Sequence, residues 1–303
     1  MTTNNKNKSA NLITRLAETL TWKRFLFAIG LFMFLSSILF PFYWMVSSSF
    51  KTGAEIAGRA PVYIPANFRL DAFRELFDPA WDHYQNFGKN IINSILVAVP
   101  TAVIAVLLST LGAYATARLK FKGREAMLNG VLVVYLFPAV LLIIPLFAML
   151  SKISSTLGFA VQDNLVVLVF TYLAQTLPVA LYMLTNYFRT IPDEIEQAAM
   201  IDGCTRFEVI WRITLPLAVP ALVTVGIYTF MIAWNEFLYA FIFLNDRAAF
   251  TIPIKINTLF NDPSPRPHVV MAASTIMTIP VIILFLAFER YLEQGLTAGG
   301  VKG

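Results

Sequence analysis

The sequence predicts an all-α membrane protein with six transmembrane helices, and three observations support that class. Hydrophobic residues make up 57% of the chain and charged residues only 14%, against roughly 25% charged in ordinary soluble domains. Six apolar segments, at approximately 25–48, 91–117, 128–150, 165–187, 217–244 and 269–289, reach the length of about 20 residues that a spanning helix needs. Lys and Arg, finally, sit beside these segments. The formal charge of +5 and the pI near 9.3 therefore read as membrane orientation, because no basic face with interleaved aromatics suggests nucleic acid.

Residues 1–24 form a charged N-terminal tail ahead of the transmembrane domain, which covers 25–292. Within the tail, Leu12, Ile13, Leu16 and Leu20 fall on one helical face with charges opposite, the pattern of an interfacial helix leading into the first span. Although Lys6, Lys8, Arg15, Lys23 and Arg24 precede an apolar run as in a secretion signal, the run from Phe25 to Val46 exceeds a signal core of roughly 7–15 residues and has no small-residue cleavage site behind it. It is expected to stay as a span. The loop at 49–90 carries Phe68, Phe73, Leu76, Phe77 and Trp81, which suits a segment lying on the membrane surface, part of a docking face, or a packed periplasmic cap.

Six spans put both termini on one side. With that side inside, fourteen of the 23 Lys and Arg residues are internal and nine external, five of the nine in the long 49–90 loop, which counts least toward orientation. The densest cluster, Arg118 to Arg124 (RLKFKGR), follows the second span. The termini, the 118–127 loop and the 189–216 segment are thus expected in the cytoplasm, and the loops at 49–90, 151–164 and 245–268 outside. Pro41, Pro100, Pro138, Pro145, Pro178, Pro220 and Pro280, with Gly112 and Gly226, fall inside the spans; a bundle tolerates them as kinks where neighbouring helices cover the freed backbone groups.

The segment at 189–216 is unusually punctuated for a loop between two spans. Pro192 suits a helix start, and Asp193, Glu194 and Glu196 follow where the positive end of the helix dipole favours anions. Ile195, Ala198, Ala199 and Ile201 form a narrow apolar stripe, and Gly203 supplies the stop. Thr205 and Glu208 then have the spacing of a capping box, so a second helix is expected there, carrying Phe207, Ile210 and Trp211 and turning back into the membrane at Pro216. Two short helices joined by a glycine turn make a rigid knob suited to docking, although a plain re-entry loop fits the same residues.

Catalytic chemistry finds little support. Cys204 is the single cysteine, and the two histidines, His83 and His268, lack ligand spacing, so neither a disulfide within the chain nor a cysteine metal cluster is expected. No phosphate-binding G-x-x-x-x-G-K-[ST] loop occurs; Gly88-Lys89-Asn90 is the nearest fragment. The chain is expected to be no enzyme and to bind no cofactor or metal.

The knob resembles the EAA loop of bacterial ABC importer permeases, an E-A-A triplet followed by glycine and then I-x-L-P, here Gln197, Ala198, Ala199, Asp202, Gly203, Ile213, Leu215 and Pro216. That resemblance implies a coupling helix inserted into a cleft of a cytoplasmic ATPase, with Glu196, Gln197, Ala198, Ala199, Asp202, Gly203 and Thr205 at the contact. The triplet departs from the family at its first position, where Gln197 replaces glutamate and Glu196 stands one place before. Further stretches, SSFKTGAEI (Ser48–Ile56), NSILVA (Asn93–Ala98), AYATARLKFKGR (Ala113–Arg124), FPAV (Phe137–Val140), WNEFLYAFIF (Trp234–Phe243) and GLTAGGVKG (Gly295–Gly303), resemble in order the smaller permease subunit of maltose/maltodextrin-type importers.

The resemblance implies the type I ABC importer permease fold in a bacterial inner membrane. Its partners would be lipid, a second homologous permease subunit in a heterodimer, two copies of an ATPase that uses ATP-Mg in trans, and an external solute-binding protein; no nucleic acid is expected. Alternating access would carry a neutral di- or oligosaccharide, such as maltose, maltodextrin or trehalose, into the cytoplasm. The tail at 293–303 would ordinarily fray; the resemblance places Gly295, Leu296, Thr297, Gly300 and Lys302 in the interface between the ATPase subunits. It also assigns Asn261, Asp262 and Pro263, stiffened by Pro265 and Pro267, to a loop that contacts the binding protein.

Within the spans, Glu236 beside Asn235 is the acidic residue that stands out, and an ionisable group at membrane depth faces a cavity or a partner. With Tyr172, Gln175 and Tyr228 these residues are candidates for a substrate pathway. Placing Glu236 at the centre of an ion-coupled secondary transporter is the alternative, but such folds often carry an inverted repeat, and none is evident.

Overall fold

The computed structural model describes residues 4–78, 80, 86–264 and 266–298, with the backbone alone for 4–21, 139, 157 and 292–298. All regular structure among these residues is helical, and the chain divides into two compact units.

One unit comprises residues 1–73 and 267–275. Helix α1, Asn4–Ser49, runs unbroken from the tail through the first span, so the helical assignment has no break between the interfacial helix expected in the tail and the membrane helix. Within this unit none of its residues from Trp22 to Val46 is buried. An apolar helix of this length needs cover from lipid or from other helices. Past Ser49 the chain turns back on itself. Tyr43 and Ser47 both donate hydroxyls to the Tyr63 carbonyl, at 3.0 and 2.8 Å, the buried Lys51 ammonium lies 4.0 Å from the Trp44 ring centroid, and Phe50 packs between Phe68 and Phe73. The short helix α2, Gly53–Ala57, opens with a capping box between Thr52 and Glu55, and Glu55 also accepts from the Ala66 N–H at 3.1 Å. These ties make the SSFKTGAEI stretch a compact cap. Trp81 lies outside the described residues.

The other unit, 74–266 and 276–303, holds most of the helices. After α3, Asp71–Phe77, come α4, Phe87–Arg118, α5, Arg124–Leu136, α6, Ala139–Leu157, and α7, Leu165–Thr190. Next are α8, Asp193–Ile201, α9, Arg206–Val209, a π-helical turn at Ile210–Thr214, and α10, Leu215–Asn235. The remainder are α11, Leu238–Phe243, α12, Ile252–Phe260, and, from Ile276 on, α13, Pro267–Ala298, whose first residues belong to the other unit.

Helices α4, α7 and α10 form the core. Val97, Ala98, Ala102 and Ala105 of α4 pack with Leu168 and Tyr172 of α7 and with Phe230, Ala233 and Trp234 of α10. Small residues let the backbones approach, as in membrane helix pairs generally; a Cβ on Gly112 would stand 2.8 Å from Leu181 Cδ1. Buried hydroxyls bond to their own helices: Thr101, Thr171, Thr176 and Thr229 each donate to the carbonyl four residues back. That arrangement satisfies them without a partner helix. Trp234 reaches across to α13, donating to the Met277 carbonyl at 3.1 Å.

Among the described residues, five helical runs are long and apolar enough to span a bilayer, and the α5–α6 pair, taken as one bent span, brings the number to six. The expected third span, 128–150, is thus not one helix: α5 and α6 meet at 102°. Pro138 is the cause, because its ring excludes the preceding residue from helical geometry, and Phe137 is extended with ψ at 130°. The expected fifth span, 217–244, is also displaced. Its helical run starts at Arg206 and ends at Asn235, and the π turn just ahead of Pro216 supplies a wider bond, Leu215 N–H to Ile210 C=O, where the proline withdraws a donor.

Candidate functional site

Helix α8 stands off the spans and is held by few side chains. Its start is as the sequence implied: Pro192 is the N-cap and three acids fill the first turn. Gly203 has φ at +95°, a left-handed value that glycine adopts without steric cost. Beyond it Thr205 and Glu208 complete the capping box, the Thr205 N–H donating to Glu208 Oε2 at 3.0 Å and Glu208 N–H to Thr205 Oγ1 at 3.3 Å.

The apolar stripe does not face inward. Only Glu196 and Ala199 of α8 are buried, whereas Ile195, Ala198 and Ile201 point to solvent, Ile201 at 86% exposure. Gln197, Asp202, Gly203 and Thr205 are exposed too. Beyond the turn, the exposed rings of Phe207 and Trp211 pair at 6.1 Å. One continuous surface of small, apolar and amide side chains is therefore open at the knob's tip.

Glu196 points the other way, into the protein. Its Oε1 accepts from Arg118 Nε and from the Thr214 hydroxyl, both at 2.9 Å, and its Oε2 accepts from the Tyr114 hydroxyl at 3.3 Å. Arg118 in turn donates through its two terminal nitrogens to Asp193 Oδ1 and to the Ile191 carbonyl. The Arg118 and Glu196 side chains are 7% and 9% exposed, so this pair is buried, whereas Asp193 at 66% is not. Arg118, Tyr114 and Thr214 were not singled out by sequence; an arginine closing an apolar helix, with carboxylates on the next ordered segment of its side, was the available signal.

The substrate-pathway candidates are partly brought together. Gln175 lines a cavity of about 660 Å³ with Tyr135, Thr171, Pro178 and Tyr239; Tyr135 and Tyr239 are additions the sequence reading missed. Tyr228 faces Tyr135 from α10. Tyr172 is fully buried behind them, its hydroxyl approaching the Glu236 carboxylate without completing an aligned hydrogen bond. Glu236 itself sits in the break between α10 and α11, where Oε1 accepts from Tyr239 N–H at 2.9 Å and Oε2 from Ala240 N–H at 3.1 Å. It caps α11. Asn235 is exposed and turns its amide back onto the Met231 carbonyl.

On the far loop, α12 ends at Asn261, whose side chain donates to the Asn257 carbonyl, and Asp262 Oδ1 accepts from Ser264 N–H. With Pro263, Arg247, Thr258 and Leu259 they border a cavity of about 200 Å³; Pro265 lies outside the described residues. Two buried asparagines on α4 hold the loop ahead of α12. Asn90 donates to the carbonyls of Arg247 and Phe250, Asn93 to those of Ala248 and Phe250, and Ser94 accepts from Ile252 N–H. The backbone at Gly295, Leu296 and Thr297 continues α13 rather than fraying, while Gly300 and Lys302 lie outside the described residues.

A family profile described as "Binding-protein-dependent transport system inner membrane component" matches residues 109–298. The inner membrane ABC transporter permease protein YcjP of Escherichia coli is 43% identical over 93% of this chain and 98% of its own length. The trehalose/maltose transport system permease protein MalG of Thermococcus litoralis is 37% identical over 93% of this chain and 98% of its own. The trehalose transport system permease protein SugB of Mycobacterium tuberculosis is 34% identical, covering 88% and 93%. Among solved structures, a chain of a bacterial ABC transporter involved in import of the acidic polysaccharide alginate superposes with a TM-score of 0.74 at 22% identity, over 88% of this chain and 94% of that one, which speaks to the fold.

Proposed function

The chain belongs to the binding-protein-dependent transport system inner membrane components, and on that basis we propose that it is a permease subunit of an ATP-driven sugar importer. The observation that carries this reading is the knob: a short helix pinned on one face by a buried ion pair, with Gln197, Ala198, Ile201 and Asp202 presented on the other. Transport permeases of this family are not enzymes. The energy is supplied in trans by a pair of ATPase subunits that use ATP-Mg, docked on the exposed tip of α8, with Gly295, Leu296, Thr297, Gly300 and Lys302 reaching between them.

A second, homologous permease subunit completes the membrane unit and covers α1, and an external solute-binding protein meets the loop at Asn261–Pro263. Both termini and the knob then lie in the cytoplasm, in agreement with the Lys and Arg asymmetry. The cycle is alternating access, in which each ligand shifts the equilibrium only by its differential affinity for the two states. A neutral di- or oligosaccharide is the substrate class; Gln175, Tyr135 and Tyr239 offer it an amide and phenol groups in a largely apolar cavity, and the named relatives for trehalose and maltose support the class. Ion coupling through Glu236 is not favoured, because both its oxygens already accept from α11.

Co-purification from solubilised membranes tests the reading, comparing the parent with a Gly203→Pro, Ala198→Glu double variant. An ATPase should come down with the parent and be lost from the variant while the second permease subunit stays. Uptake of labelled trehalose and maltose by proteoliposomes, driven by ATP and the binding protein, identifies the sugar. If no ATPase associates with the parent, the importer reading fails.

A further inference from the structure

We infer that Arg118 is the latch that carries displacement of α8 into the spanning helices, with Glu196 as its receiving group and Thr214 as its branch to α10. This rests on the proposed docking of an ATPase on α8.

Two residues link α8 to α7, and a glycine turn with a left-handed backbone links it to α9. Beside these short covalent links, the side-chain attachments of α8 converge on one guanidinium. Arg118 is the last residue of α4, and it grips the Ile191 carbonyl, Asp193 and Glu196 at once. Three directions of donation from a planar fork fix orientation as well as distance.

From Glu196 the path divides. Tyr114 returns it to α4 one turn inside Arg118, and Thr214 leads to the π turn ahead of α10. Two of the three core helices are thereby tied to α8 through a single carboxylate. A π turn often marks a functional position, and this one stands where the branch enters α10. Arg118 is a positioning residue: it touches neither sugar nor nucleotide.

The test uses the full transporter with its ATPase and binding protein in proteoliposomes, carrying Arg118→Met, Arg118→Lys, Glu196→Gln or Thr214→Val. Three quantities are read: ATPase retained per permease, ATP hydrolysis rate, and sugar taken up per ATP. We expect Arg118→Met and Glu196→Gln to retain the ATPase yet lose uptake per ATP by about tenfold, within the range of coupling between linked sites. Arg118→Lys, which keeps the charge without the fork, should recover part of the loss. Thr214→Val leaves the ion pair whole and reports the α10 branch even if an Arg118 variant fails to assemble; its uptake per ATP should also fall. Uptake per ATP at the parental value in assembled Glu196→Gln and Thr214→Val complexes overturns the latch alone. A parent complex without ATPase overturns the latch and the importer reading together.

Discussion

Asn93 donates its side-chain amide to the carbonyl oxygen of Phe250 at 3.1 Å, joining residues 157 positions apart in the chain. The same amide reaches Ala248, and Asn90 one turn earlier reaches Arg247 and Phe250. The loop before α12 therefore takes its shape from α4. Replacing Asn93 with leucine takes the side-chain donor from the Ala248 carbonyl, while Asn90 still serves Phe250, and an acceptor left unpaired away from water costs roughly 1–3 kcal/mol. Thermal unfolding in detergent should show a lowered midpoint, and amide exchange should quicken first at residues 247–252. A midpoint equal to the parent's would mean that the loop holds itself.

The Arg118 site predicts an asymmetry between its two carboxylates. Glu196→Ala removes the buried partner of the guanidinium, which keeps Asp193 and the Ile191 carbonyl, and should cost at most about 3–5 kcal/mol, whereas Asp193→Ala removes a partner 66% exposed and should cost under about 1 kcal/mol. Denaturation of the two variants side by side reads the difference. Equal losses would place the strength of the site in Asp193 instead.

Gly112 faces Leu181 closely enough that a methyl group must displace it. Gly112→Leu should wedge α4 from α7 and destabilise by about 1–3 kcal/mol, the usual penalty of overpacking. Gly112→Ala should be milder, since a leucine tip can move. Leu181→Ala should relieve the Gly112→Leu variant, a non-additivity that a double-mutant cycle measures.

Glu55 gives a pH dependence outside the membrane. The Thr52 N–H above all, then the Ala66 N–H and the Thr52 hydroxyl, hold its carboxyl below the usual range. A depressed folded pKa means that these bonds stabilise the cap fully above the unfolded carboxylate's pKa and are lost as pH falls through the folded value. Exchange at the Thr52 and Ala66 amides, corrected for intrinsic rates, should lose protection on acidification below about pH 4, near the reference carboxylate values. Glu55→Gln should flatten that response.

Local punctuation was legible in the sequence because its chemistry is local. The Thr205–Glu208 box forms as spaced, and Gly203 takes the left-handed turn that its position demanded. Proline was ambiguous, because its effect depends on neighbours: Pro100, Pro178, Pro220 and Pro280 stay inside continuous helices, while Pro138 ends one. Glu236 also depends on its neighbours. The break after Asn235 has no mark in the sequence, and it leaves two backbone donors of α11 to which the carboxylate turns. At α8, which residues of the helix turn inward was decided by Arg118, a long-range partner that no periodicity in 193–201 announces. Asn90, Asn93 and Ser94 did carry a signal, polar side chains at i, i+3 and i+4 opening an apolar helix, which is the spacing of one shared face.

The threonines that bond to their own helices have a mechanical consequence. Where α4, α7 and α10 meet, the contact is made mainly by alanine, valine and leucine, and the polar ties between them, Thr116 with Thr185 and Tyr187 with the Leu217 carbonyl, gather toward the α8 end. Away from that end the surfaces carry little that must be broken before they move. Among the described residues, dispersion and close packing are what resist sliding there, while the backbone hydrogen bonds stay within each helix and survive a small shift between helices.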